Sequence, residues 1–340
     1  MSSVVENQAV KTMFQSIDEV KPVVVSRQSR IANIERLRIL SICAVVTFHT
    51  HQWFPNSLCF VGLIILLLCS CAFVVSKPEI YEQVDLIKQK AKRLLMPWVF
   101  WSVVYGGLGL MKMVIENVSF SEVFSPIMLL IGTRIHLWYL PFVFVAAVFL
   151  GFVHRRIVKV SERFVIIPAI LIGTLAVLVC SMIQSYVMLW APIVQWALGL
   201  PSIPLGFALG RIILVQDVRH KRNFCLLATL STATMAIAFV LFVLMDNVTY
   251  PRFGIIYAVR YCVSVAIVCS ALYWQGSLDV ISRKLASLSY GIYLIHPLVV
   301  VTFYRLGIAL QHPLLLLFLV LSISSLITFI LKKTPLKQFV

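Results

Sequence analysis

Charge is what this 340-residue sequence has least of: Asp, Glu, Lys and Arg together make up 12% of it, where a water-soluble domain needs about twice that share to cover its surface. Acidic side chains are the rarest, 13 against 29 Lys and Arg. A soluble fold is excluded by the complementary figures, 61% hydrophobic residues and a mean hydropathy of +0.97. The first 30 residues lack the continuous apolar core of a cleaved leader; Met1 to Arg30 reads instead as a poorly ordered cytoplasmic tail. The cysteines, Cys43, Cys59, Cys69, Cys71, Cys180, Cys225, Cys262 and Cys269, lie almost entirely in apolar runs. There a thiol behaves as a small hydrophobe, so neither a disulfide framework nor a metal site is expected. A net charge of +16 can signal nucleic acid, but these cations stand between apolar blocks without interleaved aromatics, and no nucleic-acid partner is expected.

What is present is a series of apolar stretches of about 20 residues, the length that crosses the hydrocarbon of a bilayer. They fall at 38–55, 57–76, 96–115, 137–153, 164–184, 194–215, 224–245, 255–273, 289–309 and 313–331. The fold class read from them is an all-α integral membrane bundle of about ten transmembrane helices. Residues 31–340 form one transmembrane domain behind the tail, and Ser119 to Arg134 is a partial or interfacial helix on the outer side. With the tail inside, the cytoplasmic segments collect almost every Lys and Arg, leaving only Lys112, Arg134, Arg252, Arg260 and Arg305 elsewhere. Such asymmetry places both termini in the cytoplasm. The expected location is the cytoplasmic membrane of a bacterium, with lipid as the surrounding partner.

Titratable groups inside hydrocarbon are costly unless paired or hydrated, so each is a candidate. His49 stands eleven residues after Arg38, about 16 Å deeper along a helix. His296 lies in the ninth span, with Tyr293 one turn before it and Pro297 directly after; proline removes a backbone donor and loosens the preceding turn. Arg260 and Arg305 complete the buried set, Arg305 being the better placed to snorkel to the surface. His51 reads as interfacial. A neutral imidazole is the commonest general base and often needs a carboxylate to orient it, yet no Asp or Glu lies inside a span. Glu35 is about 21 Å from His49 along a helix and cannot touch it, so any orienting group comes from another helix. The cluster Lys88, Lys90, Lys92 and Arg93, with Arg36 and Arg38 on the neighbouring mouth, would suit a polyanion such as the phosphates of coenzyme A or a lipid headgroup; setting topology is the simpler reading of it.

These residues lie in stretches similar to those of a known family. Ile34 to His49, IERLRILSICAVVTFH, resembles the opening motif of the acyltransferase 3 family, with Glu35, Arg38 and His49 at its positions. KQKAKRLLMPW (Lys88 to Trp98) is similar to the family's basic, proline-terminated lead into the third helix. HLWYLPF (His136 to Phe142), IPLGFALGR (Ile203 to Arg211) and SYGIYLIHP (Ser289 to Pro297) resemble three further signatures, in the same order along the chain. The resemblance implies a membrane acyltransferase taking acetyl from acetyl-CoA to a carbohydrate hydroxyl. It implies a catalytic role for His49 and activity or CoA contacts for Arg38 and Arg93, with Lys90 and Lys92 beside them. Glu35, His136, Trp138, Tyr293 and His296 are expected at the pocket. Three positions depart from the family pattern, Ile64, Cys71 and Ala72 in the second helix, and raise the question of whether the acyl or acceptor pocket is reshaped. Lys90 stands where arginine is common and cannot make two parallel bonds to phosphate. No esterase-like domain is fused, so polysaccharide-biosynthesis partners are expected to complete transfer if this domain does not. The competing expectation is a transporter or flippase for a glycan, with the same helices alternating around a central polar site.

Overall fold

The computed structural model describes residues 32–50, 56–76, 83–117, 119–120, 124–246, 249–273, 280–307 and 313–340. The tail, His51 and Lys77 lie outside the described residues, as does part of Ser119 to Arg134. In chain order the helices are α1 (Ala32–Thr50), α2 (Asn56–Val75), α3 (Gln83–Lys90), a π-helical turn (Ala91–Leu95) and α4 (Met96–Glu116). A single turn, α5 (Met128–Ile131), and a 3₁₀ turn (Ile135–Trp138) lead into α6 (Tyr139–Ile157). Then come α7 (Glu162–Tyr186), α8 (Ile193–Gly199), α9 (Ser202–Leu214), α10 (Val218–Met245), α11 (Pro251–Tyr273), α12 (Val280–Arg305) and α13 (Pro313–Leu331), closed by a 3₁₀ turn at Pro335–Phe339. No strand occurs among the described residues.

Eight helical rods among the described residues are long and apolar enough to cross a membrane. They include the continuous α3–α4 rod from Val84 to Glu116 and the paired α8–α9 rod from Ile193 to Leu214. The sequence reading of about ten spans also counted α1 and α2. The first carries Glu35, Arg36 and Arg38 in its opening turns, and the second is apolar over the shorter stretch Cys59–Val75. At the basic end the helices start earlier than the apolar pattern predicts, α10 at Val218 rather than 224 and α12 at Val280 rather than 289. Hydropathy marks the edge of the hydrocarbon, whereas a helix continues through the headgroup layer on its own backbone bonds. Asp217 caps α10, its carboxylate accepting the His220 amide at 2.7 Å, a pattern that favours a start there.

Around α2 pack α1, α6, α9 and α11, and glycines set how close they come. A Cβ on Gly62 would meet that of Ala44 on α1 at 2.7 Å. On α9, Gly206 and Gly210 lie against Cys71 and Ala72, the small-residue spacing by which membrane helices bring backbones together. The departures noted above thus sit in a helix seam: Ile64, Cys71 and Ala72 are buried and line neither recess described below. Arg211, 2% exposed, is held by Glu162 of α7 through Nε at 3.0 Å and Nη2 at 2.9 Å. Arg305, counted in the buried set but expected to snorkel to the surface, is exposed and pairs with Glu116 at 3.3 Å. Its position at the last residue of α12 lets the guanidinium reach the surface.

Candidate functional site

The stretch from Ser289 to His296 builds most of the site. Along α12, residues 289, 293 and 296 recur on one face, and each polar group there meets a different element. Ser289 Oγ accepts from Arg38 at 3.4 Å, and the Tyr290 hydroxyl donates to the Arg93 carbonyl at 3.2 Å. The Tyr293 hydroxyl donates to the carbonyl of His136. His296 Nδ1 lies 3.1 Å from the Ile292 carbonyl; an oxygen there can only accept, which fixes the proton on Nδ1 and leaves Nε2 with its lone pair. That Nε2 is buried with no hydrogen-bond partner, as is Nε2 of His136.

His49, near the end of α1, faces His296 at a ring-centroid separation of 5.1 Å, and His136 lies 6.1 Å from His296. Three imidazoles from α1, the 3₁₀ turn and α12 are therefore neighbours. No group of three His, Cys, Asp or Glu side chains converges as metal ligands among the described residues. His49 lines a recess of about 230 Å³ together with Phe60, His136, Trp138, Gln195 and Tyr293. The wall at Phe60 is backed by Arg260, whose guanidinium carbon sits 4.4 Å from that ring.

A second recess, of about 140 Å³, opens toward the basic end and is lined by Arg38, Ser70, Lys90, Arg93, Tyr139 and Tyr293, among others. Arg38 is oriented by Glu35, whose Oε2 accepts from Nη1 at 2.8 Å; the carboxylate contacts this arginine and not His49. Ser70 and Tyr139 share a 2.6 Å hydrogen bond, and the Tyr139 and Tyr293 rings lie 5.2 Å apart. Tyr293 therefore borders both recesses and forms the partition between them. Within the π turn, Lys92 and Arg93 are both exposed, but only Arg93 is part of the recess lining. Widened turns of this kind are rare and tend to occur at functional sites; here it falls just before Pro97.

Two contributors were not evident from sequence. Lys332, just past α13, donates to the Ser287 carbonyl and is held below the usual lysine range, first by burial and then by the charge of Arg38, so it adds to the positive field at this mouth. Tyr105 of α4 donates to the Leu294 carbonyl at 2.7 Å and stands edge-on to His136 at 5.0 Å. No motif marked either residue, because only the packing reveals which neighbour each one faces. Of the residues expected at the site, Arg38, Lys90, Arg93 and Tyr293 meet at the basic recess, and His49, His136, Trp138 and Tyr293 at the inner one. His296 stands against His49, Glu35 behind Arg38, and Lys92 to the side.

Comparison with known proteins gives one result that bears on this geometry: an acyltransferase 3 family model, described as an acyltransferase domain, matches residues 31–333. No curated protein and no solved structure matches the chain.

Proposed function

The chain belongs to the acyltransferase 3 family and is a multi-pass membrane acyltransferase; from that premise we propose that it carries an acyl group, acetyl first among them, from acyl-CoA to a carbohydrate hydroxyl. The acceptor is a sugar of a surface glycan, an exopolysaccharide or a lipid-linked precursor, and the membrane is the cytoplasmic membrane of a bacterium. The observation that carries this reading is the shared wall at Tyr293, which sets a cationic recess and a histidine recess back to back.

In this proposal Arg38, Lys90 and Arg93 hold the phosphates of the donor, with Lys92 and Lys332 strengthening the field. The recess, of about 140 Å³, is smaller than the ~300–1,000 Å³ of sites that enclose a whole small molecule. It suits a slender arm rather than a nucleotide, which remains on the basic surface. The acyl end passes Tyr293 to reach His49. There the imidazole takes the proton of the acceptor hydroxyl as its oxygen bonds to the thioester carbonyl carbon; the C–S bond breaks, and the sulfur leaves as a thiolate that is then protonated. His296, anchored through Nδ1, offers Nε2 to the charged His49 ring and keeps it oriented.

The test is transfer of label from radiolabelled acetyl-CoA to candidate glycans in membranes, wild type against His49→Ala. Loss of a general base lowers transfer by about 10²- to 10⁴-fold. Unchanged transfer in His49→Ala would sink the reading. So would a wild type that moves its glycan across the membrane while transferring no label.

A further inference from the structure

A groove of about 770 Å³ lies apart from both recesses, between α1, α10 and α11 at the basic end. Its volume falls within the ~300–1,000 Å³ of small-molecule sites. Its chemistry is segregated. Arg36 and Arg222 stand at its rim, with Asn33 Oδ1 accepting from Arg36 Nη1 at 3.1 Å. Below them the walls are Cys225, Thr229, Ala266 and Cys269, and the outer edge carries Leu226 and Tyr273, both about half exposed. From Arg222 to Thr229 the groove descends α10 by about 10 Å at 1.5 Å per residue, into the part of that helix that lies in hydrocarbon.

From this we infer that the groove is a specific binding site for an anionic phospholipid of the cytoplasmic leaflet, its phosphate on Arg36 and Arg222 and one acyl chain along α10 and α11. Three features select that occupant. Polar groups gather at headgroup depth, as a soluble metabolite would not require. The walls beneath are apolar and lie where lipid chains already are. Among the described residues no carboxylate lines the groove, which favours an anionic headgroup over one that carries an ammonium. Guanidinium groups match phosphate oxygens through paired N–H bonds. The inference stands apart from the proposed acyl transfer, since Arg36 points to the groove while Arg38 points to the basic recess.

The experiment places the full-length protein in nanodiscs of phosphatidylcholine containing phosphatidylglycerol and measures the ratio of the two lipids retained after stepwise delipidation, by native mass spectrometry. Two cations near the membrane surface, each contributing as a basic residue does there, correspond to a preference of roughly 30-fold. The Arg36→Gln/Arg222→Gln double variant is expected to lose that preference, while Arg155→Gln/Arg156→Gln, at the end of α6, keeps it. Should the double variant fail to fold, Thr229→Trp fills the groove without altering charge and is expected to lower retention of phosphatidylglycerol. Equal retention of both lipids by the wild type overturns the inference. Equal loss in the α6 control does so too, because the effect would then be general surface charge. A polyprenyl diphosphate retained from native membranes in preference to phosphatidylglycerol would also overturn it.

Discussion

Substituting Gly206 by alanine tests the packing on which the site rests. The new Cβ would lie 2.4 Å from Cβ of Cys71 and 2.9 Å from the carbonyl oxygen of Leu68, whereas carbon atoms rest at about 3.5–4.0 Å. Neither neighbour is the free end of a flexible side chain, so α2 and α9 must separate by about 1 Å to restore ordinary contact. Overpacking of a well-filled interior costs about 1–3 kcal/mol, and contact with backbone puts this site near 3. Gly107 on α4 is the matched control: nothing lies within 4 Å of its added Cβ, and alanine there is expected to be neutral or stabilising by up to ~1 kcal/mol. Equilibrium unfolding in mixed micelles, followed by tryptophan fluorescence, reads both. Cys71→Gly removes one of the two clashing atoms, so the pair Cys71→Gly/Gly206→Ala should recover about 1 kcal/mol of coupling. Because α2 supplies Leu66, Ser70, Phe73 and Val74 to the basic recess, Gly206→Ala should also weaken transfer. Gly206→Ala as stable as Gly107→Ala would refute the close seam between α2 and α9.

Other outcomes follow from the charged groups. Glu35→Gln keeps the shape but removes the carboxylate 2.8 Å from Arg38. A hydrogen bond between charged groups contributes about 1.5–3 kcal/mol, discounted here for the partly exposed Arg38, so the KM for acyl-CoA should rise about tenfold with kcat little changed. Arg93→Gln should cost tenfold or more in kcat/KM and Lys92→Gln about threefold or less, since only Arg93 lines the recess; the reverse order in steady-state assays would show that the π turn presents Lys92 instead. Glu162→Gln leaves Arg211 buried with its charge unanswered. Breaking a fully buried pair costs about 3–5 kcal/mol, and because the Glu162 side chain is 40% exposed a loss nearer 2 is expected, recovered in part by Arg211→Met in the same chain and read as a shift in the unfolding midpoint.

Much of this architecture is legible along the chain, because a bilayer imposes one length and one kind of surface on every crossing helix. The apolar runs therefore located the bundle, and the motifs placed Arg38, His49, Tyr293 and His296 in it. What one dimension does not carry is which face meets which neighbour. Gly206 and Gly210 announce a close contact by their spacing, yet nothing in the sequence names α2 as its partner. Likewise the missing carboxylate near His49 pointed to another helix without indicating His296, since a residue 247 positions away in sequence is joined to it only by packing. The π turn is hidden for a related reason. Its wider winding takes the side chains of this turn out of α-helical register, and helical periodicity assumes a constant turn.

The partition at Tyr293 has a consequence for the tightness of the membrane around it. A protein that opens one recess behind another through an insulating layer risks letting ions leak across it. Here the two recesses are kept apart by the tilted Tyr139 and Tyr293 rings, 5.2 Å between centroids, so in the proposed transfer the acyl arm that passes Tyr293 itself fills the gap it opens and the barrier to ions stays closed.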